Sequence, residues 1–411
     1  MLNSKNEREL AYVVLIDSIE PITGSDNCEC AIVGGWHVMV RKGQFNKGDP
    51  AIYFEIDSKV PSTNPAFAFL EKRNYKVKTQ KYTFGGKGNF VSQGLLMHAS
   101  DFGWNIIFDG TETPYIYDGE KAHYADDESR FLTKILNVTY ADEEDNQRKA
   151  PSVDKYKKMA QRNPKLFKKP YIRWLMKRDW GKKLLFFFFG KKKDKKNGWP
   201  SWVAKTDEER IENMPWILAD KDKKWIATEK IDGTSTTFTM KREAPWGKKT
   251  MYVCSRNVCF DSVDKPCYYE TNVYWGMAEC YNIYKVLEYI LEEYSLDWVT
   301  IQGETYGEGI QKNNYGIDYH DFYAFNLITS DRGRWNSVDM SKELHGLGVP
   351  CVPIFETEMT LPDTVEELRD YIRGYSSDVY PGMMEGMVFR TQDGVQSFKC
   401  VLPEYLLKYH S

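Results

Sequence analysis

The chain of 411 residues is expected to fold as an α+β protein. A small N-terminal β-barrel should be followed by a larger domain of antiparallel sheets with flanking helices. Three observations predict this. Short apolar or alternating runs, separated by turn signals, fill the stretch from residue 9 to about residue 102. A basic, aromatic-rich stretch then changes the character of the chain from Asp142 to Gly198. From Trp199 the composition is globular again, with strand and helix patterns interleaved. The divisions fall at 1–140, 141–198 and 199–411, and the length suffices for two or three separate cores.

Each element of the first part has its own signal. "LAYVVLIDSIEPI", "CECAIVGGWHVMVRKG" and "DPAIYFEIDSKVP" read as strands, with turns marked by "TGSDN", "GG" and "NKGDP". "NYKVKTQKYTF" and "FVSQGLLMHASDF" add two more. About five strands with turns between them fit a small barrel, for which an OB-fold is the leading candidate and another small barrel the alternative.

The middle stretch holds the charge asymmetry. Residues 151–200 carry 14 Lys and 3 Arg against 3 Asp, a net +14 in a chain whose total is −3, so the remainder carries −17. Short helices fit around 154–162 and 171–188, broken by Pro164, Pro170 and Gly181. Basic groups interleaved with Tyr, Trp and Phe suit phosphates and stacked bases. A membrane surface, or a solvated insertion with one apolar anchor, would use the same composition. The longest apolar run, "LLFFFF" at 184–189, is too short to span a bilayer, so no membrane span is expected. The polar start "MLNSKNEREL" carries no signal peptide pattern. The eight cysteines form no C-x-x-C pair, which indicates free thiols and a cytoplasmic protein.

In the last part, "KTDEERIENMPWIL" reads as a helix start with Thr206 as N-cap and Glu209 as its capping-box partner. Strands are expected at 225–231, 234–241, 250–255, 298–304, 322–328, 386–391 and 395–400. Helices are expected at 273–293 and 363–374.

One stretch raises a chemical question. In "ATEKIDGTSTTFTM" Lys230 stands between Glu229 and Asp232, ahead of a glycine turn. A salt bridge is the plain reading; a nucleophile awaiting activation is the sharper one. The later sequence favours the second. "VCSRN" supplies Arg256, "QGETYGEG" Glu304, "FYAFNL" Phe325, "MEGMVFR" Glu385 and "QSFKC" Lys399.

The ordered series EKIDG, SRN, GE, FYAFNL, EGMVFR and SFK resembles the covalent nucleotidyltransferase superfamily of ATP-dependent ligases and capping enzymes. It is most similar to the RNA ligase 5 family, in which an OB domain precedes the ligase domain. "AIVGGWHVMVRKG", "IYFEIDSKVP", "SQGLLM" and "KTDEERIEN" carry the likeness to that family, which covers 9–125 and 199–411 and leaves out the basic stretch.

The resemblance implies an N-terminal OB-fold and an α+β nucleotidyltransferase (ATP-grasp-like ligase) domain. It implies that Lys230 attacks the α-phosphate of ATP and carries AMP as a phosphoramidate. Asp232, Glu304 and Glu385 would hold Mg²⁺ or Mn²⁺ through water, lowering the pull of carboxylates on the lysine. Glu229 is then an adenine-edge contact and Phe325 the stacking platform. Glu304 and Arg256 contact ribose, Lys399 neutralises the α-phosphate, and Arg210 reaches the β- or γ-phosphate. Superfamily members often carry K-x-K in the last strand, whereas here Ser397 stands two before Lys399.

Only twelve residues follow Lys399, too few for the C-terminal OB domain of DNA ligases and capping enzymes. The expected partner is a nicked duplex with RNA on the 3′-OH side, bound by a monomer. A GTP-dependent capping nucleotidyltransferase and a non-catalytic OB-containing RNA-binding protein are the alternatives.

Overall fold

The computed structural model describes residues 1–4, 7–86, 88–107, 131–141, 199–243, 247–260, 262–265, 267–269 and 271–410. It also describes the backbone at 115–117 and 122–123, and Ile172, Leu175, Arg178 and Leu185 in the basic stretch. Ile172 and Leu185 are buried. The helices expected around 154–162 and 171–188 otherwise lie outside the described residues.

The five expected strand runs of the first part each break at a turn into shorter strands. Ser18–Pro21, Cys28–Val33 and Trp36–Arg41 form one antiparallel sheet. Pro50–Phe54 lies between Ala11–Leu15 and Leu95–Met97 in a second. The Gln93 N–H donates to the His37 carbonyl at 2.9 Å, drawing the two sheets together. Tyr12, Ala31, Trp36, Val38, Tyr53 and Leu96 fill the space between them. Along Trp36–Arg41 buried side chains alternate with half-buried or exposed ones, as a period of two requires, whereas Ala11–Val13 and Ala51–Phe54 are buried on both faces.

The second part is built on two antiparallel sheets. The larger has the order Cys259–Phe260, Lys248–Ser255, Thr234–Glu243, Trp298–Gly307, His320–Thr329, Gly333–Arg334. Helices Val273–Cys280, Ile283–Glu293 and Ser337–Gly346 cover one face. In Ile283–Glu293 the residues Ile283, Val286, Leu287, Ile290 and Leu291 recur at helical spacing and are buried against the sheet. The smaller sheet has the order Ile354–Met359, Trp225–Lys230, Gly386–Thr391, Ser397–Val401. It packs on helix Val365–Arg373, where Thr364 and Glu367 form the capping box, a feature worth about 1 kcal/mol.

Two expected helices take other forms. The run 273–293 is two helices, because Asn282 adopts a left-handed conformation (φ 49°) between them. No helix starts at Thr206. Its hydroxyl instead hydrogen-bonds to Ser235 Oγ at 2.8 Å, and two short 3-10 turns, Ile211–Asn213 and Pro215–Ala219, follow. The acids that would have lined that first turn are drawn apart: Asp207 pairs with Arg8 and Glu208 with Arg390. Two opposed ion pairs outweigh a single cap.

The two parts share a seam. Val401 and Leu406 of the second part enter the core of the first. The Gly35 N–H of the "GG" turn donates to the Glu212 carbonyl at 2.7 Å. Trp36 Nε1–H donates to Asn213 Oδ1 at 2.6 Å, and Asn213 Nδ2–H donates to Glu55 Oε1 at 2.8 Å. Glu55 is buried and also meets the Met1 ammonium and Arg8 Nη1 (2.9 Å). All eight cysteines are free thiols, as expected. Among the described residues no helix is long and apolar enough to cross a membrane.

Burial opposes the Glu55 charge, but the Met1 ammonium and Arg8 outweigh it and pull the carboxyl to about 2, below its ordinary 4.5. A carboxylate with a lowered folded value stabilises above the unfolded value and loses that contribution as pH falls. Urea unfolding should therefore weaken from about pH 4.5 down through about pH 2, and Glu55→Gln should flatten that decline. Glu55→Ala, which strips one partner from a buried ionic network, should cost about 3–5 kcal/mol at pH 7. An unchanged midpoint would show the seam to be unimportant.

Candidate active site

Lys230 ends strand Trp225–Lys230, with Gly386 directly opposite. That register places Glu385, one residue before Gly386, beside the lysine: Nζ lies 2.6 Å from Glu385 Oε2. Gly386 is required here, since a Cβ on it would sit 2.1 Å from the Cys400 carbonyl oxygen. Glu304 comes from the larger sheet, paired with Ser235 on one side and Tyr323 on the other. A register irregularity between Gln302 and Gly303 precedes it. The glycine of K-x-D-G is equally constrained, because a Cβ on Gly233 would lie 2.3 Å from the Thr305 carbonyl oxygen.

The acids beside Lys230 in sequence do not touch its amine. Glu229 is buried; it accepts from Ser377 Oγ–H (2.5 Å) and the Asp378 N–H (3.1 Å). Asp232 Oδ2 accepts from Asn314 Nδ2 (2.6 Å) and the Tyr405 hydroxyl (3.0 Å), and His410 Nε2 lies 3.1 Å away. Strand alternation turns Glu229 to the face opposite Lys230, whereas Asp232 lies beyond the strand, which ends at Lys230. The lysine's partner is Glu385, 155 positions later.

The charges are strongly coupled. Burial opposes the Lys230 charge, yet Glu385, Glu304 and Asp232 outweigh it and raise its pKa, so the lysine stands as an ammonium. Burial also raises Glu385, against the pull of Lys230. Glu304 is pushed up to about 8 by burial and by Glu385 and Asp232, against Lys230. Asp232 is held low despite burial, chiefly by its bond to His410. Burial raises Glu229.

A second cluster adjoins the first. Asp207 Oδ1 pairs with Lys399 Nζ at 2.8 Å, and Asp207 Oδ2 with Arg256 Nη2 at 2.8 Å and Arg8 Nε at 2.9 Å. Arg256 lies in the turn between Lys248–Ser255 and Cys259–Phe260, its guanidinium 5.0 Å from the Tyr140 ring centroid. Arg210 pairs through its backbone with Lys399, but its guanidinium turns to Asp57 at 3.2 Å. Phe325 is half-buried, packed against the group of Ile231, Tyr306, Tyr315 and Val352, with Arg390 5.9 Å from its ring.

The structure thus gathers Lys230, Glu385, Glu304 and Asp232 electrostatically, sets Lys399 and Arg256 together on Asp207, and places Glu229 against the 377–378 loop. Asp207, Arg8, Asn314, Tyr405 and His410 were missed as functional candidates. Asp207 stands in the quoted "KTDEERIEN", so a signal existed; Arg8 and His410 carry none. A cavity of about 870 Å³, lined by Trp216, Asp220, Lys223 and Arg334, lies behind Asp207 and Ser397 rather than at Lys230.

Two sheets meeting at a half-buried lysine, with carboxylates from both and a lysine of the last strand beside them, match the expected class, a covalent nucleotidyltransferase fold. The family model described as RNA ligase matches residues 223–410, and an OB-fold domain model matches 10–98. Residues 223–410 therefore form a domain that matches the RNA ligase family, preceded by an OB-fold domain. Among solved structures, Naegleria gruberi RNA ligase with PPi is similar at 24% identity and TM-score 0.67, over 98% of this chain and 99% of that one. A mutant of that enzyme with ATP and Mn matches at 24% and 0.67, over 98% and 100%. Another mutant, with AMP and Mn, matches at 24% and 0.67, over 98% and 99%. At this identity the likeness is one of fold. No curated protein sequence matches the chain.

Lys399 is paired with Asp207 and yet lowered to about 8, because burial and the nearby Arg8, Arg210 and Lys230 outweigh that carboxylate. Between its ordinary 10.5 and about 8 the unfolded chain holds a proton that the folded one lacks. Stability should fall as pH drops through that window. Lys399→Met should remove this cost and be more stable than the parent at pH 7, by about 1–3 kcal/mol in urea unfolding. The advantage should shrink toward pH 10.5. A less stable variant at pH 7 would refute the charge argument.

Proposed function

We propose that the protein is an ATP-dependent RNA ligase that seals 3′-OH/5′-phosphate nicks through a lysyl-AMP intermediate. The observation that carries this reading is the Lys230 amine, half-buried at a strand end 2.6 Å from Glu385 and close in charge to Glu304, Asp232 and Lys399. In the first step Lys230 bonds to the α-phosphorus of ATP and pyrophosphate leaves. AMP then passes to a 5′-phosphate, and the 3′-OH displaces it. The substrate is a nicked duplex with RNA at the 3′-OH side, and the enzyme acts as a monomer in the cytoplasm.

The amine must first lose a proton, and Glu385 is the carboxylate placed to share it. Among the described residues no three His, Cys, Asp or Glu side chains are close enough to ligate one ion directly. Asp232, Glu304 and Glu385 would hold Mg²⁺ or Mn²⁺ through its water shell, a fit supported by the cluster of three carboxyl groups around the Lys230 amine. Such an ion supplies charge that offsets the carboxylates' grip on the ammonium. Lys399 meets the α-phosphate and Arg210 the distal phosphates. Arg256 and Glu304 take the ribose, and Glu229 and Phe325 the adenine.

Incubation with ATP labelled at the α-phosphate, alongside equally labelled GTP, tests the reading. Label from ATP that survives denaturation and disappears in Lys230→Ala is the expected result. Label from GTP alone would indicate a capping enzyme, and none from either a binding protein. Glu385→Gln should lower the adenylylation rate at least about 100-fold, the usual scale for losing a positioned acid–base group.

The basic stretch is assigned to RNA binding. Deleting 142–198 should weaken nicked-duplex binding and flatten its salt dependence, while self-adenylylation persists. Loss of adenylylation in the deletion would make the stretch part of the ligase fold instead.

A further inference from the structure

Asp207 has no place in the chemistry described above, yet among the described residues it pairs with more cations than any other carboxylate. Its two oxygens meet three cations from three parts of the chain: Lys399 of the last strand, Arg256 of the hairpin turn and Arg8 of the OB-fold domain. Glu55 holds Arg8 from the other side but is itself matched by the Met1 ammonium. One negative charge therefore faces more positive charge than it can neutralise. Burial and these cations set the carboxyl's titration against each other, and the cations win, holding it well below the usual carboxylate range. The depressed Lys399 reports the same surplus from the cation's side.

Donors arranged this way suit a phosphoryl group at least as well as a carboxylate. A phosphoryl group offers three oxygens and up to two charges to the same guanidinium and ammonium N–H groups. The cluster is reachable, since the Arg256 side chain is 43% exposed. The carboxylate can also withdraw: Ala204–Glu209 belong to no helix or strand.

We propose that Asp207 is an internal stand-in for a phosphoryl group, holding Lys399, Arg256 and Arg8 in place until a substrate phosphate displaces it. Arg8 thereby joins the OB-fold domain to the phosphate site. The proposal rests on the ligase reading, since it takes Lys399 as a phosphate-binding group. The displacing phosphoryl group is either a phosphate of the nucleotide, for which inorganic pyrophosphate serves as the probe, or the 5′-phosphate of the RNA end. Both are dianion-bearing oxyanions of the same chemistry.

The two sources are separated by calorimetric titration of inorganic pyrophosphate, and of a 5′-phosphorylated trinucleotide against its 5′-hydroxyl counterpart, into the full-length protein and Asp207→Asn. The amide keeps the shape and removes the competing charge. One phosphate ligand should bind Asp207→Asn about tenfold more tightly than it binds the parent, and which one does so identifies the source. Damage to a merely structural ion pair would weaken binding, so a gain is diagnostic. Equal or weaker binding of both ligands by a folded Asp207→Asn overturns the proposal.

Should that variant not fold, hydrogen exchange on the unaltered protein decides. Pyrophosphate should speed exchange at the amides of 205–209, and slower or unchanged exchange overturns the idea. Labelling of the parent by ATP is measured in parallel. A parent that labels while Asp207→Asn shows no gain sinks this proposal alone. A parent that neither labels nor binds pyrophosphate sinks the ligase reading with it.

Discussion

The proposed chemistry depends on one ammonium group kept charged where burial alone would discharge it. Lys230 sits at the end of a strand that is buried on both faces, and Glu385 reaches it only because Gly386 lies directly opposite. The pair is held at 2.6 Å, and Glu304 and Asp232 add to the field without touching the amine. A nucleophile stored as its protonated form is inert. On the proposed reading, activation is a matter of changing the surrounding charge, which a nucleotide and a cation can do.

A second constraint runs along the seam between the domains. Glu55, Arg8 and Asp207 pass charge from the OB-fold core to Lys399, while Arg210 answers Asp57 across the same boundary. The segment Asp207–Asn213 lies at the centre of it: two acids pair with arginines, and Asn213 bridges Trp36 and Glu55. Buried ionic seams are poor sources of net stability but specify one arrangement against others. Here that arrangement also positions Lys399 and Arg256 on Asp207, so domain docking and the geometry of the proposed phosphate site are a single property.

The sheets were legible in the sequence because strand periodicity and glycine-bearing turns are local signals, and so was Lys230 in its K-x-D-G setting. The capping box at Thr364 was equally readable. The pattern starting at Thr206 was not, although it had the same form. Its acids are claimed by Arg8 and Arg390, which are distant in sequence, and that competition has no local trace. The break at Asn282 belongs with it: apolar spacing continues through the residue, and only packing shows that the axis turns there.

The sequence by itself determined the residue types available to the chemistry and the strands that carry them. Both follow from composition and spacing over a few residues. Only the tertiary structure decided who faces whom. Glu229 and Asp232, adjacent to the lysine in the chain, are turned away to other partners, and Glu385, far from it, is brought into contact. Side chains alternate along a strand while sheets juxtapose remote segments. Nearness in sequence therefore says little about which charges share a low-dielectric space, and it is that sharing which sets the protonation of each group.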